Sequence, residues 1–165
     1  MSLLPTITIR PIQPPDNAPL AAVIRDTLAE HGAAKPGTVY YDPTTDHLFE
    51  LFQAPRSTYF VAEGAGGAVL GGAGIFPTDG LGAGVCELVK VYLRPAARGT
   101  GLGRRLIERS LAWAREAGFQ RVYLETLPEL TQAVPLYERL GFEYLPGPLG
   151  NSGHFDCTIW MLKAV

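Results

Sequence analysis

The chain has 165 residues, 47% of them hydrophobic and 18% charged, a composition that suits a globular protein long enough to bury a substantial core. With 14 basic residues against 16 acidic ones the net charge is −2, so no global field draws the chain to nucleic acid or to an anionic membrane. No apolar run is long enough to span a bilayer, MSLLPTITIR lacks a charged-then-apolar export pattern, and Cys86 and Cys157 fit neither a disulfide scaffold nor metal-ligand spacing. The expectation is one domain over residues 1–165, cytoplasmic, with both cysteines as small core residues.

Thr6–Arg10 alternates Ile7 and Ile9 with polar neighbours and reads as a first strand, stopped by Pro11 and the Pro14-Pro15 pair. Asp16 or Asn17 would cap a helix whose apolar face is Leu20, Val23, Ile24, Thr27 and Leu28, ending near His31-Gly32. Lys35–Thr45 is a connection containing Pro and Gly, and Asp46 would cap a second, short helix through about Phe52. Tyr59–Glu63 and Ala68–Phe76 read as a hairpin around Gly64–Gly67. Gly71, Gly72 and Gly74 mark a bulge in the returning strand, or a place where substrate or a helix comes close.

After the loop Pro77–Gly84, a central strand runs from Val85 to Leu93, apolar over most of Leu88–Leu93. Arg94, Pro95 and Arg98 lead into Gly99-Thr100-Gly101-Leu102-Gly103, and a helix follows with Leu102, Leu106, Ser110, Trp113 and Ala117 on one stripe, ending at Gly118. Arg121–Thr126 is then a strand parallel to the central one, because a helix connects them. Thr131 or Gln132 opens a short helix with Pro135 in its first turn and Gly141 at its close. Phe142–Tyr144 and Phe155–Leu162 are the last strands, on either side of the loop Leu145–His154.

Glycines at alternate positions clear side chains from one side of the turn after the central strand, so backbone N–H groups can approach a ligand. The helix start behind them has free N–H groups and a positive dipole end, and Arg94, Arg98, Arg104 and Arg105 add charge. This is a phosphate cradle. It is not a Walker loop, because Gly103 is followed by Arg104 and Arg105 instead of Lys-Ser/Thr. G-x-G-x-x-G would need a third glycine at Arg104 or Leu106; only Glu125, spaced like a ribose-binding acid, favours that dinucleotide alternative.

The filled pattern is R-x-x-G-x-G, at Arg98, Gly101 and Gly103. Together with AVPLYERLGF, Ala133 to Phe142, it resembles the two signatures of the GNAT (Gcn5-related N-acetyltransferase) superfamily, over about residues 59–145. The resemblance implies a mixed α/β acyl-CoA N-acyltransferase fold, with a central, mostly antiparallel sheet, a splayed pair of parallel strands and helices on both faces. It implies acetyl transfer from acetyl-CoA to a primary amine by direct attack in a ternary complex, with no metal. Arg98, Gly99, Thr100, Gly101, Leu102, Gly103 and Arg104 would hold the pyrophosphate. Backbone groups of Val91 and Leu93 would bond the pantetheine arm, the Val91 N–H polarising the thioester carbonyl.

By the same resemblance Tyr137 would protonate the departing thiolate; alternatively it only packs. A phenol near pKa 10 is well matched to an alkyl thiol. Glu87 occupies the position of a general base or ammonium ligand, with a solvated strand-end charge as the alternative. Glu125 and Thr126 face the same crevice, and His154 and Asp156 would form a polar pair near the acceptor. Tyr40, Tyr41, His47, Phe49 and Phe52 would line the acceptor pocket or serve as ordinary packing. The partner is a small-molecule or peptide amine, with monomer and homodimer both open. A CoA-binding module without turnover is the reading from another class.

Overall fold

The computed structural model describes residues 6–165; Met1–Pro5, part of the stretch read for an export pattern, lie outside them. In chain order the elements are β1 (Thr8–Pro11), α1 (Asn17–Glu30), α2 (Leu48–Leu51), β2 (Thr58–Glu63), β3 (Val69–Phe76) and β4 (Val85–Leu93). There follow α3 (Leu102–Glu116), β5 (Arg121–Thr126), α4 (Ala133–Arg139), β6 (Glu143–Leu145) and β7 (Ile159–Ala164). The strands join one seven-stranded sheet in the order β1-β2-β3-β4-β5-β7-β6. Every neighbouring pair is antiparallel except β4 with β5, as expected of strands joined through a helix. None of the described helices is long and apolar enough to cross a membrane.

Period-two alternation sorts side chains between two layers. On β2, Tyr59 and Val61 pack with Leu20, Ile24 and Leu28 of α1, while Phe60 and Ala62 pack with Leu102 and Leu106 of α3. Ile107, Leu111 and Ala114 extend the α3 layer over Cys86, Leu88, Val122 and Leu124, and α4 closes it with Tyr137.

Three local expectations need correction. Asp46 does not cap α2: it ends a 3-10 turn, Pro43–Asp46, and its carboxylate pairs with Arg25, leaving His47 at the α2 N-cap without a side-chain cap bond. The last strand begins at Ile159, not Phe155, because its ladder with β5 ends at Ile159 opposite Thr126; Phe155 is 79% exposed. Pro11 does not stop the first strand but belongs to β1, opposite Phe60, on a sheet edge that spares its missing N–H a partner.

Gly72 and Gly74 of β3 make room for a side chain of the protein itself, not for substrate, while Gly71 lies against the backbone of Tyr92 and Leu93 in β4. A Cβ on Gly72 would lie 2.4 Å from Tyr59 Cε1, and one on Gly74 2.5 Å from Tyr59 Cδ2, so the buried Tyr59 ring lies across β3 where side chains are missing. It reaches β4, where its hydroxyl donates to the Lys90 carbonyl at 2.7 Å.

That carbonyl sits in a bulge. Gly74 opposes Val89 and Gly72 opposes Tyr92, so Lys90 and Val91 together oppose Ala73, and Lys90 takes a left-handed φ of +52°. The extra residue reverses the alternation. Cys86 and Leu88 face α3 before it, Val91 and Leu93 face α3 after it, and Val89 and Tyr92 face α1. Pairing of β4 with β5 ends at Glu87 opposite Tyr123, so Leu88–Leu93 has no strand partner on that side and the two strands part.

Candidate active site

The sequence from Arg94 to Arg104 folds into a 3-10 turn, Pro95–Ala97, two left-handed glycines, and the start of α3. Gly99 and Gly101 have φ of +73° and +81°, and a Cβ on either would meet nothing within 4 Å. Gly101 is the N-cap, so no capping side chain covers the first N–H groups of α3. A Cβ on Gly103 would stand 3.4 Å from Leu93 Cδ1 and 3.6 Å from Leu136 Cδ2, over the floor of a groove of about 610 Å³ between the ends of α3 and α4.

Basic side chains line this groove. His31, Arg98, Arg104 and Arg139 are among its walls, and no Asp or Glu is among the described wall residues. Of the predicted cradle, Val91, Leu93, Arg98, Gly99, Gly101, Gly103 and Arg104 line it, whereas Thr100 and Leu102 do not. The Thr100 hydroxyl turns back to the Ala97 carbonyl at 2.7 Å, and Leu102 is buried in the core. The Arg98 guanidinium bonds Glu30 twice, at 2.9 and 3.0 Å, which ties the loop to α1. Arg94 is directed elsewhere, donating to the Val69 carbonyl at 2.8 Å.

A second cavity, about 330 Å³, opens where β4 and β5 part. Glu87 lines it and is only 4% exposed, so it is not a solvated strand-end charge. Thr78 Oγ1 donates to its carboxylate at 2.5 Å. Burial pushes the Glu87 pKa up to about 7, against the Thr78 bond and the fields of His154 and Lys90.

Glu125 and Thr126 also line this cavity. The Glu125 carboxylate accepts from Tyr123 Oη at 2.7 Å and from Ser152. Because Glu125 lies here and not in the groove, the dinucleotide reading loses its ribose-binding acid. Lys90 from the bulge, Asp42 from the turn before α2 and Asp79 from the loop before β4 add to the charged lining. His154 does not pair with Asp156: it meets Asp42 Oδ2 at 2.9 Å and holds the Asp42 pKa well below the usual carboxylate range, while Asp156 pairs with Lys35 at 3.0 Å.

Groove and cavity share Val91, Tyr92, Leu130 and Ala133. Tyr137 lies one turn along α4 from Ala133, on the same face, and lines the cavity. It is 6% exposed, and its ring packs edge-on against Phe142. Burial raises its pKa, so it stays protonated.

Of the five residues expected around the acceptor pocket, only Phe52 lines the cavity. Tyr40 and Phe49 pack under α1, and Tyr41 and His47 are exposed. The wall from this region is instead Thr38, Val39, Asp42, Thr44 and Leu51. Cys157, expected in the core, is half-buried and lines the cavity, and burial pushes its thiol up to about 12. Lys90, Asp42, Thr78 and Ser152 were not singled out in the sequence. Lys90 alone carried a signal, as one charge inside an apolar central strand.

A family model described as the Acetyltransferase (GNAT) family matches residues 23–142. The chain is 44% identical over 149 residues to the uncharacterized N-acetyltransferase YjgM of Escherichia coli K12, covering 90% of this chain and 89% of that one. Among solved structures, a GNAT-family acetyltransferase from Staphylococcus aureus Mu50 superposes with a TM-score of 0.84 at 16% identity, over 96% of this chain and 99% of that one. A phosphinothricin acetyltransferase from Sinorhizobium meliloti, solved in complex with acetyl-CoA, gives 0.76 at 21% identity, over 97% and 89%. These two likenesses are likenesses of fold.

Proposed function

Because this chain belongs to the acetyltransferase (GNAT) family, we propose that it moves the acetyl group of acetyl-CoA to a primary amine by direct attack within a ternary complex, working as one domain. The observation that carries this reading is the junction at Val91. A cationic groove with a glycine floor and a cavity holding an ionisable acid meet at the strand edge left open by the splay. The groove suits the pyrophosphate of CoA, and the structural relative from Sinorhizobium meliloti holds acetyl-CoA.

In this reading the Gly99–Arg104 turn and the α3 N-terminus hold the pyrophosphate. Backbone groups of Val91 and Leu93, on the open edge of β4, receive the pantetheine arm, and the Val91 N–H polarises the thioester carbonyl. Glu87, with a pKa of about 7, takes the proton of the acceptor ammonium. The amine nitrogen then forms a bond to the acyl carbon and gives its second proton to solvent, the carbon–sulfur bond breaks, and Tyr137 protonates the sulfur.

Release of free CoA thiol from acetyl-CoA, followed over an amine panel, tests the activity, and Tyr137→Phe tests the acid. The variant is expected to lose about 100-fold in kcat while its acetyl-CoA affinity by calorimetry stays near that of the wild type. An unchanged kcat removes Tyr137 from the mechanism. Failure of acetyl-CoA to bind removes the whole reading.

A further inference from the structure

Acetyl transfer leaves one buried ion without a task. Lys90 is nine-tenths buried, its side chain 5% exposed, and it lines the cavity that holds Glu87. Its Nζ makes no hydrogen bond among the described residues. The nearest carboxylate, Asp42 Oδ2, is 3.9 Å away, beyond hydrogen-bonding distance. Asp42 is already occupied: Oδ2 meets His154 Nε2 at 2.9 Å, and Oδ1 accepts from the Thr44 N–H at 2.9 Å and the Thr44 hydroxyl at 2.7 Å.

A buried ammonium with three donors and no acceptor is costly, and burial lowers its pKa against the fields of Asp42 and Glu87. The fold holds it there nonetheless. Lys90 sits at φ +52°, which glycine would adopt with less strain, and Tyr59 fastens its carbonyl. Such an ion is matched by an anion that arrives with a ligand.

The lining favours a carboxylate as that anion. Glu87, Glu125, Asp42 and Asp79 line the same cavity and Lys90 is its one Lys or Arg among the described wall residues, so a dianionic phosphate would meet more repulsion there than a singly charged carboxylate. Glu87 and Lys90 lie three residues apart on one strand, offering an acid and a base to the two ends of a short dipolar molecule. A cavity of about 330 Å³ is at the small end of ligand sites.

We propose that the acceptor is a small aminocarboxylate, an amino acid or close analogue, whose carboxylate is received by Lys90 Nζ while its amine is placed at Glu87 for acetylation. This rests on the acetyl-transfer reading and names its substrate class. The nitrogen lone pair forms the new carbon–nitrogen bond as the carbon–sulfur bond breaks. Of the two protons that the ammonium loses, one goes to Glu87 and one to solvent; the sulfur takes the Tyr137 proton, and solvent returns the proton from Glu87 to Tyr137. The products are an N-acetyl aminocarboxylate and CoA.

The test uses the full chain, acetyl-CoA, and the proteinogenic amino acids with β-alanine and 4-aminobutyrate, each beside its carboxamide and its decarboxylated amine, plus a lysine-containing peptide. At least one acid should exceed its carboxamide in kcat/KM by about 100-fold, the discrimination expected of a site built around a charged pair. Lys90→Met should bring that ratio close to one, chiefly through KM, and Lys90→Arg should keep most of it.

Preference for amines, carboxamides or the peptide, or turnover of none of the acids, overturns the proposal while acetyl-CoA binding leaves the transferase reading standing. So does a Lys90→Met protein that melts like the wild type and keeps the ratio. If Lys90→Met does not fold, the wild-type ratio and Lys90→Arg decide. Absence of acetyl-CoA binding removes both readings together.

Discussion

Burial, more than any single neighbour, sets the proton affinity of Glu87. An ordinary carboxylate near 4.5 would be fully ionised at neutral pH and a weak base; one near 7 can accept a proton there. As the proposed base, Glu87 predicts that kcat/KM rises with pH through an apparent pKa of about 7, separate from the limb of the acceptor ammonium near 10. Glu87→Gln should remove the lower limb and keep the upper. The facing groups Glu125, His154 and Lys90 remain in that variant, so a limb that persists removes Glu87 as its source.

Stability gives an independent check on the same residue. The folded-state pKa lies above the unfolded one, so the folded protein binds more protons between about 4.5 and 7 and loses stability as pH rises through that window. The loss is on the order of 3 kcal/mol at most. Glu87→Gln should therefore melt close to the wild type at about pH 5 and above it at about pH 8.

At the scale of elements, the bulge in β4 depends on two other strands. Tyr59 of β2 fastens the Lys90 carbonyl, and it can do so only because Gly72 and Gly74 of β3 leave space for its ring. Tyr59→Phe leaves a buried carbonyl unpaired, at a cost of about 1–3 kcal/mol. Gly74→Ala forces a Cβ to within 2.6 Å of the Thr58 carbonyl oxygen, so backbone must move, at a similar or larger cost. Both variants should melt several degrees lower, and Tyr59→Phe should also lose kcat as the bulge relaxes. Tyr59→Phe with wild-type melting and kinetics would show that the bulge holds without the hydroxyl.

At the scale of the whole molecule, the sheet acts as a frame opened at one seam. β4 and β5 are joined over Val85–Glu87 and apart beyond it, so the groove and the cavity meet there, with α3 and α4 to one side and α1 to the other. A ligand filling the groove should stabilise the entire fold. Acetyl-CoA at 100 times its Kd adds about 2.7 kcal/mol, which for a chain of this size is a rise in Tm of about 5–10 °C. NADH at equal concentration should leave Tm unchanged; the reverse pattern would return the groove to dinucleotides.

What the amino-acid sequence determined by itself was whatever is local. The order of strands and helices followed from periodicity, and the turn before α3 from Gly99 and Gly101, because glycine is the residue that takes positive φ without penalty. The parallel β4–β5 pair followed from the helix between those strands. Tertiary structure decided the rest. Lys90 is a non-glycine residue at positive φ, so no residue type announces the bulge that reverses the faces of β4. Asp42 and His154 lie 112 residues apart and meet only because the loop after β6 folds over the turn before α2. The β3 glycines name no occupant; Tyr59 is that occupant because sheet order brings β2, β3 and β4 side by side. Conformational preference belongs to a residue and its neighbours, whereas burial and charge pairing belong to whatever the sheet places opposite.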